Sequence, residues 1–173
     1  MKILIGYYTK SGTTAKCAGL LRAQFHTHEV EVADLAVEKP AAEAYDAVLL
    51  GAPIRMGHMD KRFRAFVKAN ERALTGKRLG FFACCGAAEL AREIMAKDIP
   101  ASLWESAVAS EAFGGELDVK AQKGILAKIT VWMMRRAIKN GELDEDLCDS
   151  GSVGYPHIMP EHIARFADEI KRI

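Results

Sequence analysis

The stretch KILIGYYTKSGTT, residues 2–14, decides the fold class. Its beginning, Lys2 to Tyr8, is a short apolar run that predicts a buried β-strand. Hydroxyl residues and one glycine follow, and apolar side chains then recur at helical spacing from Thr14 to Phe25. A buried strand, a tight polar loop and a helix in this order start a β-α-β unit, so the sequence predicts a parallel sheet with right-handed crossovers.

The same alternation continues along the chain. The run DAVLLGA at residues 46–52 is typical of a central parallel strand that is covered on both faces. We predict one α/β domain over residues 1–173, with five parallel strands and an insertion at about 114–160, where the alternation stops. Further strands are predicted at residues 30–32, 78–85 and 106–113, and further helices at 60–74, 88–97 and 161–171.

Composition and charge narrow the function classes. The 173 residues include 24 Lys and Arg against 23 Asp and Glu, which gives a formal net charge of +1. This near-neutral charge excludes a protein that binds nucleic acid through its overall positive charge. It also argues against an electron carrier that docks on basic partners, because such a carrier needs an acidic surface. No apolar run has the length of a signal peptide or a bilayer span, so we expect a cytoplasmic protein.

The four cysteines give no sign of a metal site. Cys17, Cys84, Cys85 and Cys148 form no Cys-x-x-Cys pair and have no His at zinc spacing. Adjacent cysteines have poor geometry for an ordinary disulfide, and a cytoplasmic location keeps thiols reduced. We therefore expect four free thiols and no metal, with a redox role for the adjacent pair as the alternative.

The loop after the first strand predicts an anion site. In a doubly wound sheet this loop lies at the carboxyl ends of the strands, where backbone N–H groups at a helix start favour phosphate. The patterns of dinucleotide and nucleoside triphosphate loops are absent, so a phosphate monoester is favoured. The alternative is a helix cap rich in Ser and Thr that binds no ligand. The candidate phosphate-binding residues are Thr9, Lys10, Ser11, Gly12, Thr13 and Thr14.

Two motifs carry a resemblance to known families. The pattern Thr9-x-Ser11-Gly12-x-Thr14 resembles the phosphate loop of flavodoxin-like proteins, which holds the phosphate of FMN. Residues 51–58, GAPIRMGH, resemble the G-A-x-I-R-x-G-H segment of bacterial menaquinone-dependent protoporphyrinogen IX dehydrogenases, which are flavodoxin-like FMN proteins. The resemblance implies a three-layer sandwich with strand order 2-1-3-4-5 and FMN as the cofactor.

The resemblance also implies roles for the second and third loops. The second loop would frame the flavin ring, with Arg55 and His58 as catalytic residues. The alternatives are a surface ion pair for Arg55 and a helix cap for His58. The third loop would contact the flavin, and tight packing of strand on helix is its alternative. The implied flavin contacts are Pro53, Ile54, Arg55, Met56 and Gly57 in the second loop and Cys85, Gly86 and Ala87 in the third.

The function implied is oxidation of protoporphyrinogen IX or a related tetrapyrrole, with electrons passed to a quinone. A flavodoxin-type electron carrier and another FMN-dependent quinone reductase are the alternatives. Residues 120–139 carry six Lys and Arg and no acid, on a helical pattern with a wide apolar face. Such a helix suits peripheral contact with the inner face of a membrane. Packing over its own sheet or in a homodimer is the alternative.

Overall fold

The computed structural model describes residues 1–86, 88–115 and 157–172. Its strands and helices alternate along most of this length, as the sequence predicts. The strands are β1 (Lys2–Tyr7), β2 (Glu29–Asp34), β3 (Ala47–Arg55), β4 (His58–Met59), β5 (Arg78–Cys84) and β6 (Ala109–Ala112). The helices are α1 (Thr13–Ala23), α2 (Lys61–Ala69), α3 (Glu71–Leu74), α4 (Ala88–Asp98), α5 (Ala101–Ser106) and α6 (Pro160–Lys171).

The sheet confirms the predicted flavodoxin-like architecture. The strand order is β2-β1-β3-β5-β6, and each neighbouring pair is parallel. The fourth and fifth strands of the prediction are β5 and β6, so this order is the expected 2-1-3-4-5. The short strand β4 pairs antiparallel with the end of β3 and forms a hairpin that the sequence did not predict. Most of the predicted insertion, residues 116–156, lies outside the described residues.

Two apolar layers sandwich the sheet because neighbouring side chains of each central strand point to opposite faces. In β3 the segment from Ala47 to Ala52 is fully buried, as expected of a central strand. The core on one face includes Leu4, Val48, Leu50 and Phe81 of the strands with Phe63, Val67, Met95 and Leu103 of the helices. The core on the other face includes Ile3, Ile5, Leu49 and Phe82 with Leu21, Ile163, Phe166 and Ile170.

The helix predicted over residues 60–74 is two helices, α2 and α3, that meet at Asn70. The side-chain amide of Asn70 donates to the carbonyl of Phe66 at 2.9 Å. Asparagine competes in this way with the backbone for hydrogen bonds, which favours helix ends. The helix α5 was not predicted, because its six residues include one buried side chain, Leu103, and so carry no periodic signal.

The last helix is fixed to the sheet by the half-buried side chain of Arg78 in β5. Its guanidinium donates to the carbonyls of Glu169, Ile170 and Arg172 at the end of α6. These carbonyls have no partner inside the helix, and a cation also suits the negative end of the helix dipole. Among the described residues, no helix combines the length and the apolar character needed to span a membrane.

Candidate functional site

The three loops singled out in the sequence meet at one edge of the sheet, where the parallel strands end. The N–H of Tyr8 donates to the carbonyl of Gly51 at 3.0 Å, which joins the first loop to β3. The N–H of Cys85 donates to the carbonyl of Gly114 at 3.0 Å, which joins the third loop to the residues after β6. The edge is therefore bordered by four loops, of which the sequence predicted three.

The first loop turns sharply at Gly12, whose φ is +90°. The backbone N–H of Gly12 donates to the hydroxyl of Thr9 at 3.0 Å. The hydroxyls of Ser11 and Thr13 lie 3.4 Å apart. Gly12 is also the N-cap of α1, and no side chain caps this helix. The structure thus differs from the alternative of a Ser and Thr helix cap. Exposed hydroxyls at the start of a helix with no acid in its first turn suit an anion.

Thr14 lies beneath this loop and is 1% exposed. It forms a hydrogen bond with Cys84 at the end of β5. The thiol of Cys84 in turn forms a hydrogen bond with the thiol of Cys17. The bond with Cys17 and burial raise the pKa of Cys84 well above its ordinary value, whereas the bond with Thr14 opposes them. Cys84 is therefore a neutral thiol at pH 7. Thr14 therefore anchors the first loop to β5, and its contact with a phosphate group stays a prediction.

The second loop is a β-hairpin with a two-residue turn. Ile54 pairs with Met59 and Arg55 pairs with His58, so Met56 and Gly57 form the turn. Both turn residues have positive φ, +51° and +76°, which is the geometry of a type I′ turn. Such a turn matches the twist of the two strands and holds its tip in one position.

The hairpin tip exposes a cation and an apolar side chain. Met56 is fully exposed, although large apolar side chains are usually at least half covered. Arg55 is exposed too, and it forms no ion pair with any described residue. The structure therefore gives no support to the alternative of a surface ion pair within the described ranges. The hairpin tip thus presents an exposed apolar side chain beside a guanidinium that has no ion pair within the described ranges.

His58 has a partner that the sequence did not reveal. Its Nδ1 lies 3.2 Å from the carboxylate of Asp98 at the end of α4, and Asp98 is 4% exposed. The same carboxylate accepts the N–H of Met59 at 2.7 Å. Asp98 lies 40 residues beyond His58, and a single Asp at a helix end gives no signal in the sequence. The cap of α2 is Asp60, so the alternative role of His58 as a cap is wrong.

Asp60 links the second loop to the first. It accepts the N–H of Arg62 at 2.9 Å and the Nε of the same residue at 3.1 Å. The Arg62 guanidinium lies over the ring of Tyr8, 5.1 Å from its centroid. Burial alone would raise the pKa of Asp60, but the hydrogen bonds from the side chain and N–H of Arg62 outweigh it. The pKa therefore lies below its ordinary 3.8.

We expect Asp60→Asn to lower the free energy of unfolding by about 1 kcal/mol at pH 7, the scale of one capping or charge-assisted bond. A lowered folded-state pKa stabilises the protein above the unfolded value, and this stabilisation is lost as pH falls through the folded value. Urea unfolding should therefore show the deficit at pH 7 and its progressive loss as the pH falls below the ordinary 3.8 of an Asp carboxyl. Asp168→Asn, at an exposed surface pair, is the control. An equal deficit above and below that value would contradict the assignment.

Two glycines that follow β6, Gly114 and Gly115, lie close against the backbone of the third loop. Cys85 is half-buried and Gly86 is exposed, while Ala87 lies outside the described residues. A Cβ on Gly115 would lie 3.3 Å from the backbone of Cys85, tighter than most real contacts. Gly114, with φ of +73°, pairs with Ile158. Gly114 and Gly115 were missed as site residues because they stand at the start of the predicted insertion.

Comparisons with known proteins agree with this geometry. The family model of the flavodoxin domain matches residues 4–146. The chain is 35% identical over 86 residues to protoporphyrinogen IX dehydrogenase (quinone) of Escherichia coli (strain K12), and the match covers 47% of each protein. The chain thus spans about half the length of the curated relatives it matches.

Solved structures share the fold at low identity. Flavodoxin of Fusobacterium nucleatum, solved with flavin mononucleotide bound, is 13% identical with a TM-score of 0.55 and covers 98% of this chain and 96% of its own. Two-electron reduced flavodoxin of Megasphaera elsdenii is 18% identical with a TM-score of 0.51, over 64% of this chain and 84% of its own. The strand order, the loop at Gly12 and the match over most of the chain lead to one conclusion: the chain belongs to the flavodoxin domain family.

Proposed function

We propose that the protein is an FMN-dependent oxidoreductase that oxidises protoporphyrinogen IX or a related tetrapyrrole and passes the electrons to a quinone. The observation that carries the proposal is the exposed hairpin tip, Arg55 to His58, in a flavodoxin domain whose first loop has hydroxyls at the start of α1. The partial relative in Escherichia coli, a quinone-linked protoporphyrinogen IX dehydrogenase, supports the choice of substrate.

The residues at the sheet edge fit FMN. The loop from Thr9 to Thr13 offers hydroxyls, the Lys10 cation and the start of α1 to a phosphate group, with Thr14 anchored below. The flavodoxin family and the FMN-bound structure in Fusobacterium nucleatum support the same cofactor. When bound, FMN supplies a ring that accepts and returns electrons. Pro53 to Gly57 and Cys85 to Ala87 would border that ring.

The hairpin residues have distinct proposed roles. The exposed cation of Arg55 would stabilise negative charge on a flavin ring bound beside it, which would favour two-electron chemistry. Gly57 lacks a Cβ and lets the backbone approach the ring closely. Met56, fully exposed and apolar, presents a surface to a large planar substrate. His58 accepts or returns the proton that accompanies the electrons.

The competing function is a flavodoxin-type electron carrier, in line with the solved flavodoxins that share the fold. The net charge of +1 counts against it, because a carrier that docks on basic partners needs an acidic surface. For the enzyme we propose a cytoplasmic location with peripheral membrane contact through residues 120–139, which lie outside the described residues. A vesicle-binding assay with a variant lacking those residues tests that contact.

The test has two steps. Apoprotein titrated with FMN should quench the flavin fluorescence, and the FMN complex should then oxidise protoporphyrinogen anaerobically with a menaquinone analogue. Arg55→Met, which keeps a flexible unbranched side chain but removes the charge, should lower kcat about tenfold or more and leave FMN affinity near that of the wild type. A complex that binds FMN, transfers single electrons and turns over no tetrapyrrole would favour the carrier. A protein that takes up no FMN would overturn both functions.

A further inference from the structure

We propose that Asp98 is a positioning residue that fixes the proton on Nδ1 of His58 and so leaves Nε2 as the proton acceptor of the site. This inference rests on the proposed function for its catalytic part, although the positioning itself does not depend on a bound cofactor. Asp98 has no place in the sequence motifs, and it lies in α4 on the far side of the third loop.

Asp98 is a buried carboxylate whose two oxygens have different partners. One oxygen accepts the N–H of Met59 at 2.7 Å, and the other lies 3.2 Å from Nδ1 of His58. The side chain of Asp98 is 4% exposed, whereas that of His58 is 49% exposed. A buried backbone N–H that reaches a charged acceptor at 2.7 Å is a strong restraint. Asp98 therefore holds the hairpin at β4 and the His58 ring together.

Among the described residues, the other charged groups near the His58 ring do not compete with Asp98 for its Nδ1. The Nε of Arg64 in α2 lies 3.9 Å from the Met59-bound oxygen of Asp98, and it forms no hydrogen bond among the described residues. Arg55 is the partner of His58 across the hairpin and carries the same sign of charge as an imidazolium. Neither guanidinium can accept a proton from His58, so Asp98 is the acceptor at Nδ1.

The chemistry follows from the donor rules of the two groups. An ionised carboxylate only accepts hydrogen bonds, so a neutral His58 must donate from Nδ1 and keep its lone pair on Nε2. A substrate oxidised by two electrons loses a hydride equivalent and a proton. FMN, when bound, would supply the acceptor for the hydride equivalent, and Nε2 of His58 would take the proton. The imidazolium that results is stabilised by Asp98 until the proton passes to solvent or to the reduced acceptor.

Asp98→Asn reverses this arrangement without changing the shape of the side chain. An amide has one acceptor oxygen, and the short bond from the buried Met59 N–H retains it. The amide NH2 then faces Nδ1 of His58, which must become an acceptor. The proton of the neutral ring moves to Nε2, where the lone pair is needed. In catalytic triads of Ser, His and Asp, replacing the Asp by Asn acts through the same exchange of the His tautomer.

The test measures the tautomer first and turnover second. Nitrogen-15 NMR of the histidine ring in FMN-free protein at pH 8 should show a protonated Nδ1 and an unprotonated Nε2 for His58, and Asp98→Asn should exchange the two signals. In the FMN complex, Asp98→Asn should lower kcat about a hundredfold, the lower end of the range for one acid–base group, and leave KM and FMN affinity within about threefold.

Asp46→Asn is the matched control. Asp46 also accepts a backbone N–H at 2.7 Å, that of Lys2, but at the opposite edge of the sheet. We expect Asp46→Asn to leave the nitrogen-15 signals of His58 and the turnover unchanged. A wild-type ring protonated at Nε2, or normal turnover after the tautomer has changed, would overturn the proposal. If the wild type shows the expected tautomer but binds no FMN, the proposed function fails and the positioning of His58 by Asp98 stands alone.

Discussion

Ser11→Asp should lower the affinity for FMN about a hundredfold and leave the affinity for riboflavin unchanged. Ser11 is exposed at the turn before Gly12, where the first loop offers hydroxyls to a phosphate group. Two unit charges 4 Å apart repel by about 4 kcal/mol at an effective dielectric constant of 20, which exceeds the roughly 2.7 kcal/mol of a hundredfold change. Riboflavin lacks the phosphate and does not meet this repulsion. Fluorescence titration of the apoprotein with both flavins measures the contrast.

Thr27→Asp supplies the control for Ser11→Asp. Thr27 is an exposed hydroxyl residue in the turn between α1 and β2, at the amino ends of the strands. The substitution adds the same charge at the opposite edge of the sheet, so both flavins should bind as in the wild type. Equal loss of FMN and riboflavin in Ser11→Asp would mean that the loop does not hold the phosphate. Unchanged FMN affinity would place the phosphate elsewhere.

The layout of the sheet could be predicted because the buried strands give strong local signals. The continuous apolar run at residues 46–52 requires cover on both faces, which only a central parallel strand provides. The weakest predictions concern short elements. The hairpin strand β4 has two residues, and α5 has one buried side chain, so neither has a period that sequence analysis can detect.

The site could be predicted only where its residues are neighbours in the sequence. The glycines at positions 12 and 57 are local to the two motifs, whereas the positive φ of Met56 was not predicted because the hairpin was not. Asp98 joins the site through contacts with residues about 40 positions earlier, and Gly115 through the backbone of Cys85. Contacts between residues so far apart in the sequence form only once the sheet and its helices have packed. The motif implies a ligand contact for Thr14, and the structure adds its hydrogen bond with Cys84, which the sequence did not indicate; the ligand contact stays a prediction.

Gly51→Ala should lower the free energy of unfolding by about 3 kcal/mol, the upper part of the range for overpacked cores. A Cβ at Gly51 would lie 2.1 Å from ring atoms of Phe82. The ring cannot move aside easily, because it stacks on Phe113 at 4.8 Å and meets Phe166 edge to face at 6.2 Å. The first glycine of the GAPIRMGH segment is therefore required by packing. Its carbonyl also accepts the N–H of Tyr8, so the clash is transmitted to the first loop.

A double-mutant cycle separates this clash from a general intolerance of change in β3. Phe82→Val removes the ring atoms that the new methyl group would meet, so Gly51→Ala should cost at least about 1 kcal/mol less in that background than in the wild type. Gly19→Ala is the control, because nothing lies within 4 Å of a Cβ there and alanine favours a helix. Chemical denaturation of the four variants and the wild type gives the coupling energy. Additive costs would mean that Phe82 does not determine the glycine at position 51, which would then need another physical cause, since the backbone at Gly51 has ordinary strand geometry.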